Sequence, residues 1–116
     1  MLLVDVLILG GGAIGGVIAA RLTQKVRRVA VVDADVDHVR LVRDPGLLLD
    51  RLGEHRRVKM EAYADSAELE DERFDFVLLT LKAPHLEGAI RPLLGVGTTF
   101  VTVSYTHLTL PTIYSV

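Results

Sequence analysis

The chain has 116 residues, with 13 basic and 15 acidic side chains, a formal net charge of −2 and no cysteine. One small domain fits that length, since domains run about 50–250 residues, and a multi-domain enzyme with its own substrate domain does not. The hydrophobic half of the composition argues against disorder, the near-neutral charge gives no basis for a nucleic-acid partner, and the missing cysteines exclude disulfides and thiolate metal sites.

Residues 1–20, MLLVDVLILGGGAIGGVIAA, are apolar enough to imitate a signal peptide or a membrane span. A signal peptide places a basic region ahead of its apolar stretch, and the first basic residue here is Arg21. A spanning helix needs about 20 predominantly apolar residues. This stretch holds Asp5 and five glycines, so a buried strand entering a glycine turn fits better and no membrane partner is expected.

Val4 to Leu9 is that strand, an apolar run ended by glycine. A helix over Ala13 to Lys25 follows, with Ile14, Val17, Ile18 and Leu22 at helical spacing. Val29 to Val32 is a second strand, closed by Asp33. Asp35 is placed to cap a helix over Val36 to Val42, which Pro45-Gly46 ends. Gly46 to Asp50 and Arg57 to Ala62 read as two short strands joined by a turn over Arg51 to Arg56. Asp65 and Glu68 have the spacing of a capping box. Phe74 to Leu81 is the next strand, Pro84 opens a helix to about Leu94, and Thr98 to Val103 is the last strand. The alternation predicts an α/β fold, a Rossmann-like parallel sheet with helices on both faces.

Gly10-Gly11-Gly12-Ala13-Ile14-Gly15 matches G-x-G-x-x-G. Alone the pattern is weak, but here it follows a strand, opens a helix, and has an acid at the end of the next strand. Gly10 permits the tight turn, Gly12 lets backbone approach a pyrophosphate, and Gly15 allows helix to pack closely on strand. The N–H groups of a helix opened by Ala13 and Ile14 would face the phosphates. Asp33 lies 18 residues after Gly15, near the roughly 20 expected of an acid that binds the adenosine ribose. A carboxylate there favours NAD over NADP, and Ala34 offers no guanidinium to a 2′-phosphate. Arg40 and Arg43 read as solvated helix-surface residues. Lys82 ends the fourth major strand, where a parallel sheet presents side chains to a ligand crevice.

ILGGGAIGGVIAARL, VVDAD followed by HV, Gly46-Leu47 and FDFVLLTLKA resemble the amino-terminal domain of ketopantoate reductases (2-dehydropantoate 2-reductases), over roughly residues 3–102. The resemblance implies an NADPH-dependent, cytoplasmic oxidoreductase that reduces a small 2-oxo acid, 2-dehydropantoate, to pantoate for pantothenate synthesis. It puts Lys82 in the place of the family's cofactor-side lysine. Two departures stand out: Ala34 replaces an arginine that many members use for the NADP phosphate, and the last strand lacks the family's Asn-Gly motif. The helical carboxy-terminal domain, which supplies the family's catalytic lysine, has no counterpart here. No catalytic residue is therefore assigned within this chain, and the fragment alone is expected to be inactive. The oligomeric state is left open. Two other readings fit the same glycine motif: the NAD-binding domain of another hydroxyacid or hydroxyacyl dehydrogenase, and a non-catalytic NAD-sensing regulatory domain.

Arg91 is the last Lys, Arg, Asp or Glu, so residues 92–116 carry none of the formal charge. Val103 to Thr112, VSYTHLTLPT, back-translates as GTC TCT TAT ACA CAT CTG ACG CTG CCG ACG, which resembles the end of a transposase-based sequencing adapter. The expectation is a dinucleotide-binding domain over residues 1–102 and a non-native tail over 103–116, in which Tyr105 and His107 have no functional meaning. A sheet ending at Val103 would leave a strand edge open to aggregation. His38, His55 and His85 lack partners at metal-ligand spacing, so no metal site is expected.

Overall fold

The computed structural model describes residues 1–10, 12–51, 53–80, 88, 90–93, 99–102 and 113–115. Six parallel strands form the main sheet: β1 (Leu2–Leu9), β2 (Val26–Val32), β5 (Glu61–Tyr63), β6 (Phe76–Leu79), β7 (Thr99–Thr102) and β8 (Ile113–Ser115), in the order β5-β2-β1-β6-β7-β8. Leaving aside an inserted antiparallel hairpin, β3 (Leu47–Arg51) with β4 (Glu54–Val58), this is the 3-2-1-4-5-6 order of a doubly wound dinucleotide-binding sheet. The order reverses between β1 and β6. Open sheets of this kind bind ligands at that reversal, outside the carboxyl ends of the strands.

Successive strand residues point to opposite faces, and both faces of β1 and β2 are apolar. Val6, Ile8, Val29 and Val31 meet Ala19 and Ala20 of α1 (Ala13–Leu22), Val39 and Val42 of α2 (Val36–Arg43), and Leu49 of the hairpin. Leu7, Leu9, Ala30 and Val32 instead meet Leu69, Phe74, Ile90 and Leu93. Both described helices thus cover one face. The other is closed by a 3₁₀ turn, Ser66–Leu69, and by residues around the 3₁₀ turn Arg91–Leu93. The helix predicted from Pro84 to Leu94 lies largely outside the described residues.

Local signals decide the element ends. Asp35 caps α2, its Oδ1 accepting from the backbone N–H of Asp37 and His38 at 3.1 and 3.2 Å. The Asp65–Glu68 capping box forms as predicted. The first helix ends three residues earlier than predicted, at Leu22. Thr23 Oγ1 donates to Ala20 O, and Lys25 O accepts from Leu2 N as the chain turns into β2. The strand predicted over Arg57 to Ala62 is two strands. Its first part extends β4, which begins at Glu54, and its second is β5, paired with β2 in another sheet. Gly53, at a positive φ of 82°, makes the hairpin turn shorter than the Arg51 to Arg56 expected. Ile113–Ser115 pair beside β7, along the edge that a sheet ending at Val103 would have left open.

Candidate functional site

Leu9 of β1 is in register with Val32 of β2 and with Leu79 of β6. The next residue along each strand, Gly10, Asp33 and Thr80, therefore lies on the same carboxyl edge of the sheet, with the β1–β6 reversal between Gly10 and Thr80. The backbone ties the three together. Gly10 N donates to Val32 O at 2.7 Å, Asp33 N to Tyr63 O at 3.0 Å, and Thr80 N to Leu9 O at 2.9 Å.

The glycine turn uses each glycine differently. Gly10 has a φ of 101°, in the left-handed region that disfavours side chains. At Gly15 a Cβ would overlap the Gly10 carbonyl oxygen and stand 2.9 Å from Thr80 Oγ1, so the close packing of α1 on β1 requires glycine. Gly12 is different: its φ is −53°, and a Cβ there would meet nothing within 4 Å. Packing within the protein does not demand glycine at that position. The open space leaves the Gly12 backbone accessible to a ligand. Gly12 is also the N-cap of α1 and offers no side chain to the first-turn N–H groups, and that turn contains no acidic residue. A helix end without a side-chain cap or an acid in its first turn leaves N–H donors that an external anion can satisfy, and the positive end of the helix favours negative charge there. Ala13 and Ile14 are the first two residues of α1.

At the end of β2, Asp33 Oδ1 accepts from Asp35 N at 3.0 Å, which fixes the carboxylate plane. Its Oδ2 lies 4.0 Å from His38 Nε2, both side chains being about four-fifths buried. Sequence reasoning set His38 aside as an isolated histidine. Its place in the first turn of α2, five residues after Asp33, is the signal that could have found it. Thr80 was likewise missed, since only the register of β6 on β1 brings it to the glycine turn. Lys82 lies outside the described residues.

Beyond the crevice, Arg28 of β2 donates to both carboxylate oxygens of Glu61, at 2.8 and 2.7 Å, and to Glu72 at 2.9 Å. Its guanidinium lies 5.0 Å from the Phe74 ring centre. The bidentate bond holds the Glu61 carboxyl below the usual carboxylate range. Burial, with the bond to Glu61, pushes the Tyr63 hydroxyl up. This cluster ties β2 and β5 to the chain entering β6 and is structural. Among the described residues no group of three or more His, Asp or Glu could hold a metal, and no helix is long and apolar enough to cross a membrane.

Residues 6–104 match the family described as Ketopantoate reductase PanE/ApbA. A 2-dehydropantoate 2-reductase of Mesorhizobium japonicum is 38% identical over 99 residues, which cover 83% of this chain and 30% of that protein. Among solved structures, a candidate ketopantoate reductase from Ralstonia solanacearum superposes with a TM-score of 0.72 at 32% identity, over 87% of this chain and 32% of that one. A D-mandelate dehydrogenase solved with NADH and anilino(oxo)acetate shares the fold, with a TM-score of 0.81 at 22% identity over 96% of this chain and 39% of its own. The chain thus spans about a third of the length of these relatives. With the glycine turn, the acid after β2 and the order of the five parallel strands up to β7 all in place, the chain belongs to the ketopantoate reductase family.

Proposed function

We propose that this chain is the NAD(P)H-binding domain of a 2-oxoacid reductase that converts 2-dehydropantoate to pantoate, a step of pantothenate synthesis in the cytoplasm. The observation that carries the reading is Gly12, the N-cap of α1, where a side chain would meet nothing in the protein but would stand in the way of a phosphate approaching the backbone. Gly10, Gly12 and Gly15, with the N–H groups of Ala13 and Ile14, hold the pyrophosphate. Asp33 accepts hydrogen bonds from the adenosine ribose through Oδ2, since Oδ1 is engaged by Asp35 N. Lys82, two residues after Thr80, serves the nicotinamide half. When bound, the nicotinamide supplies a hydride for the C2 ketone of the substrate. None of the residues named here donates the proton, so the chain alone binds cofactor and catalyses nothing.

Asp33 and Ala34 favour NADH. A carboxylate repels a 2′-phosphate, and Ala34 cannot bind one. Titrating NADH and NADPH against the chain, followed by nicotinamide fluorescence, tests both layers. Tighter NADH supports the reading in full, tighter NADPH overturns the preference but keeps the domain, and binding of neither overturns the dinucleotide assignment.

We also propose that residues 103–116 are translated adapter sequence. The lack of Lys, Arg, Asp and Glu after Arg91 and the family match ending at residue 104 support this. Re-sequencing the source DNA across codons 98–116 decides it: a frame that continues into an Asn-Gly motif supports the proposal, and a genuine VSYTHLTLPTIYSV with its stop codon overturns it.

A further inference from the structure

Resting on the dinucleotide reading, we propose that Thr80 is a positioning residue for the phosphate-binding turn: its hydroxyl holds the Gly10 carbonyl inward, away from the anion. The strand before it, Phe76–Leu79, is wholly apolar, and nothing in its pairing calls for a hydroxyl at its end. The backbone N–H of Thr80 already completes the ladder by donating to Leu9 O. The side chain does something further. Its Oγ1 lies 2.6 Å from Leu9 O and also within hydrogen-bonding distance of Gly10 O. A threonine hydroxyl has one proton, so these two carbonyls share it in a three-centre bond.

Gly10 is the residue where such a restraint matters. Its φ of 101° leaves the peptide with no side chain to hold its orientation. Gly10 N is anchored on one side, to Val32 O of β2, and Thr80 anchors the carbonyl on the other side, from β6. The oxygen is wedged between that hydroxyl and Gly15, where even a Cβ would overlap it. A carbonyl turned instead toward the mouth of the turn would present partial negative charge to a pyrophosphate. The Thr80 hydroxyl thus keeps the turn in the one orientation that an anion tolerates, and it does so from the strand across the topological reversal.

The test uses the 116-residue chain with Thr80→Val, which keeps the shape and removes the hydroxyl, and Thr80→Ser, which keeps the hydroxyl. The probes are ADP-ribose, which carries the pyrophosphate, and adenosine, which carries only the base and ribose. Calorimetry is expected to show Thr80→Val binding ADP-ribose about tenfold more weakly, the scale of one lost hydrogen bond, with Thr80→Ser within about threefold of the parent. Ligand-observed NMR is expected to show adenosine binding changed less than about twofold in either variant, since Asp33 is untouched. Unchanged ADP-ribose binding by Thr80→Val overturns the proposal. So does a parallel loss of adenosine, or a serine variant as weak as the valine, because either would mark Thr80 as a packing residue. If the parent chain binds neither NADH nor ADP-ribose, the dinucleotide reading falls and takes this inference with it.

Discussion

His38 Nε2 stands 4.0 Å from Asp33 Oδ2, while Asp33 Oδ1 is held by Asp35 N at 3.0 Å. The longer of these is beyond hydrogen-bond length, so the Asp35 N–H orients the carboxylate through Oδ1, and on the proposed reading Oδ2 takes a ribose hydroxyl. Asp33→Asn keeps the shape and removes the charge. It is expected to weaken NADH about fivefold to tenfold and to narrow or reverse the preference over NADPH, because the repulsion toward a 2′-phosphate disappears. Parallel titrations of the two cofactors measure the ratio, and an unchanged ratio would place discrimination elsewhere.

Gly12 and Gly15 separate binding from folding. Gly12→Ala adds a methyl group in open space at an N-cap, so stability is expected to change by no more than about 1 kcal/mol while NADH binding falls at least tenfold. Gly15→Ala drives a methyl group into the Gly10 carbonyl and is expected to destabilise the chain by about 3 kcal/mol. Urea unfolding, read alongside cofactor titration, distinguishes the two. Equal stability losses in both variants would contradict this division.

The Arg28–Glu61 pair sets an acid limit on stability. The folded-state pKa of Glu61 lies below its ordinary value of 4.5, so its contribution is present above that value and is lost as pH falls through the folded pKa. Glu61→Gln is therefore expected to melt lower at neutral pH, by roughly 2–4 °C after allowance for solvent screening, and to converge with the parent in strong acid. Melting curves from neutral to acid pH test the convergence. A constant offset down to the lowest pH would mean that the carboxylate charge is not responsible.

Arg28 is the hub of that cluster, bonded to Glu61 and Glu72 and set over Phe74. Arg28→Lys keeps the charge but cannot make the bidentate bond, and is expected to cost about 1 kcal/mol. Arg28→Met is expected to cost more, since it leaves two carboxylates facing a thioether. Denaturant midpoints of the two variants test the order; a methionine variant as stable as the lysine one would reduce the cluster to simple packing.

What the sequence revealed depends on the range of each interaction. The Asp35 cap and the Asp65–Glu68 box are decided within three residues, and both formed where local spacing put them. The glycine motif, Asp33 and the strands around them were legible because turn chemistry and apolar runs are local too. The division of Arg57 to Ala62 between two sheets was not, because β5 is chosen by its pairing with Ala30–Val32, some 30 residues earlier. Thr80 reads as one more strand residue until Leu79 is known to lie opposite Leu9.

The two core clusters also differ in when they can exist. Every buried residue of the cluster beneath α1, α2 and the hairpin lies between Val6 and Ala62, whereas the opposite cluster needs Leu69, Phe74, Val77, Leu79, Ile90 and Leu93. During synthesis, at about 5–20 residues per second, one face of the central strands can therefore close roughly one to six seconds before the other has all its partners. In that interval Leu7, Leu9, Ala30 and Val32 form an apolar surface on a nascent three-stranded sheet. The β1–β6 join, which brings Thr80 to the glycine turn, widens that surface by Val77 and Leu79, and the arrival of Ile90 and Leu93 closes it.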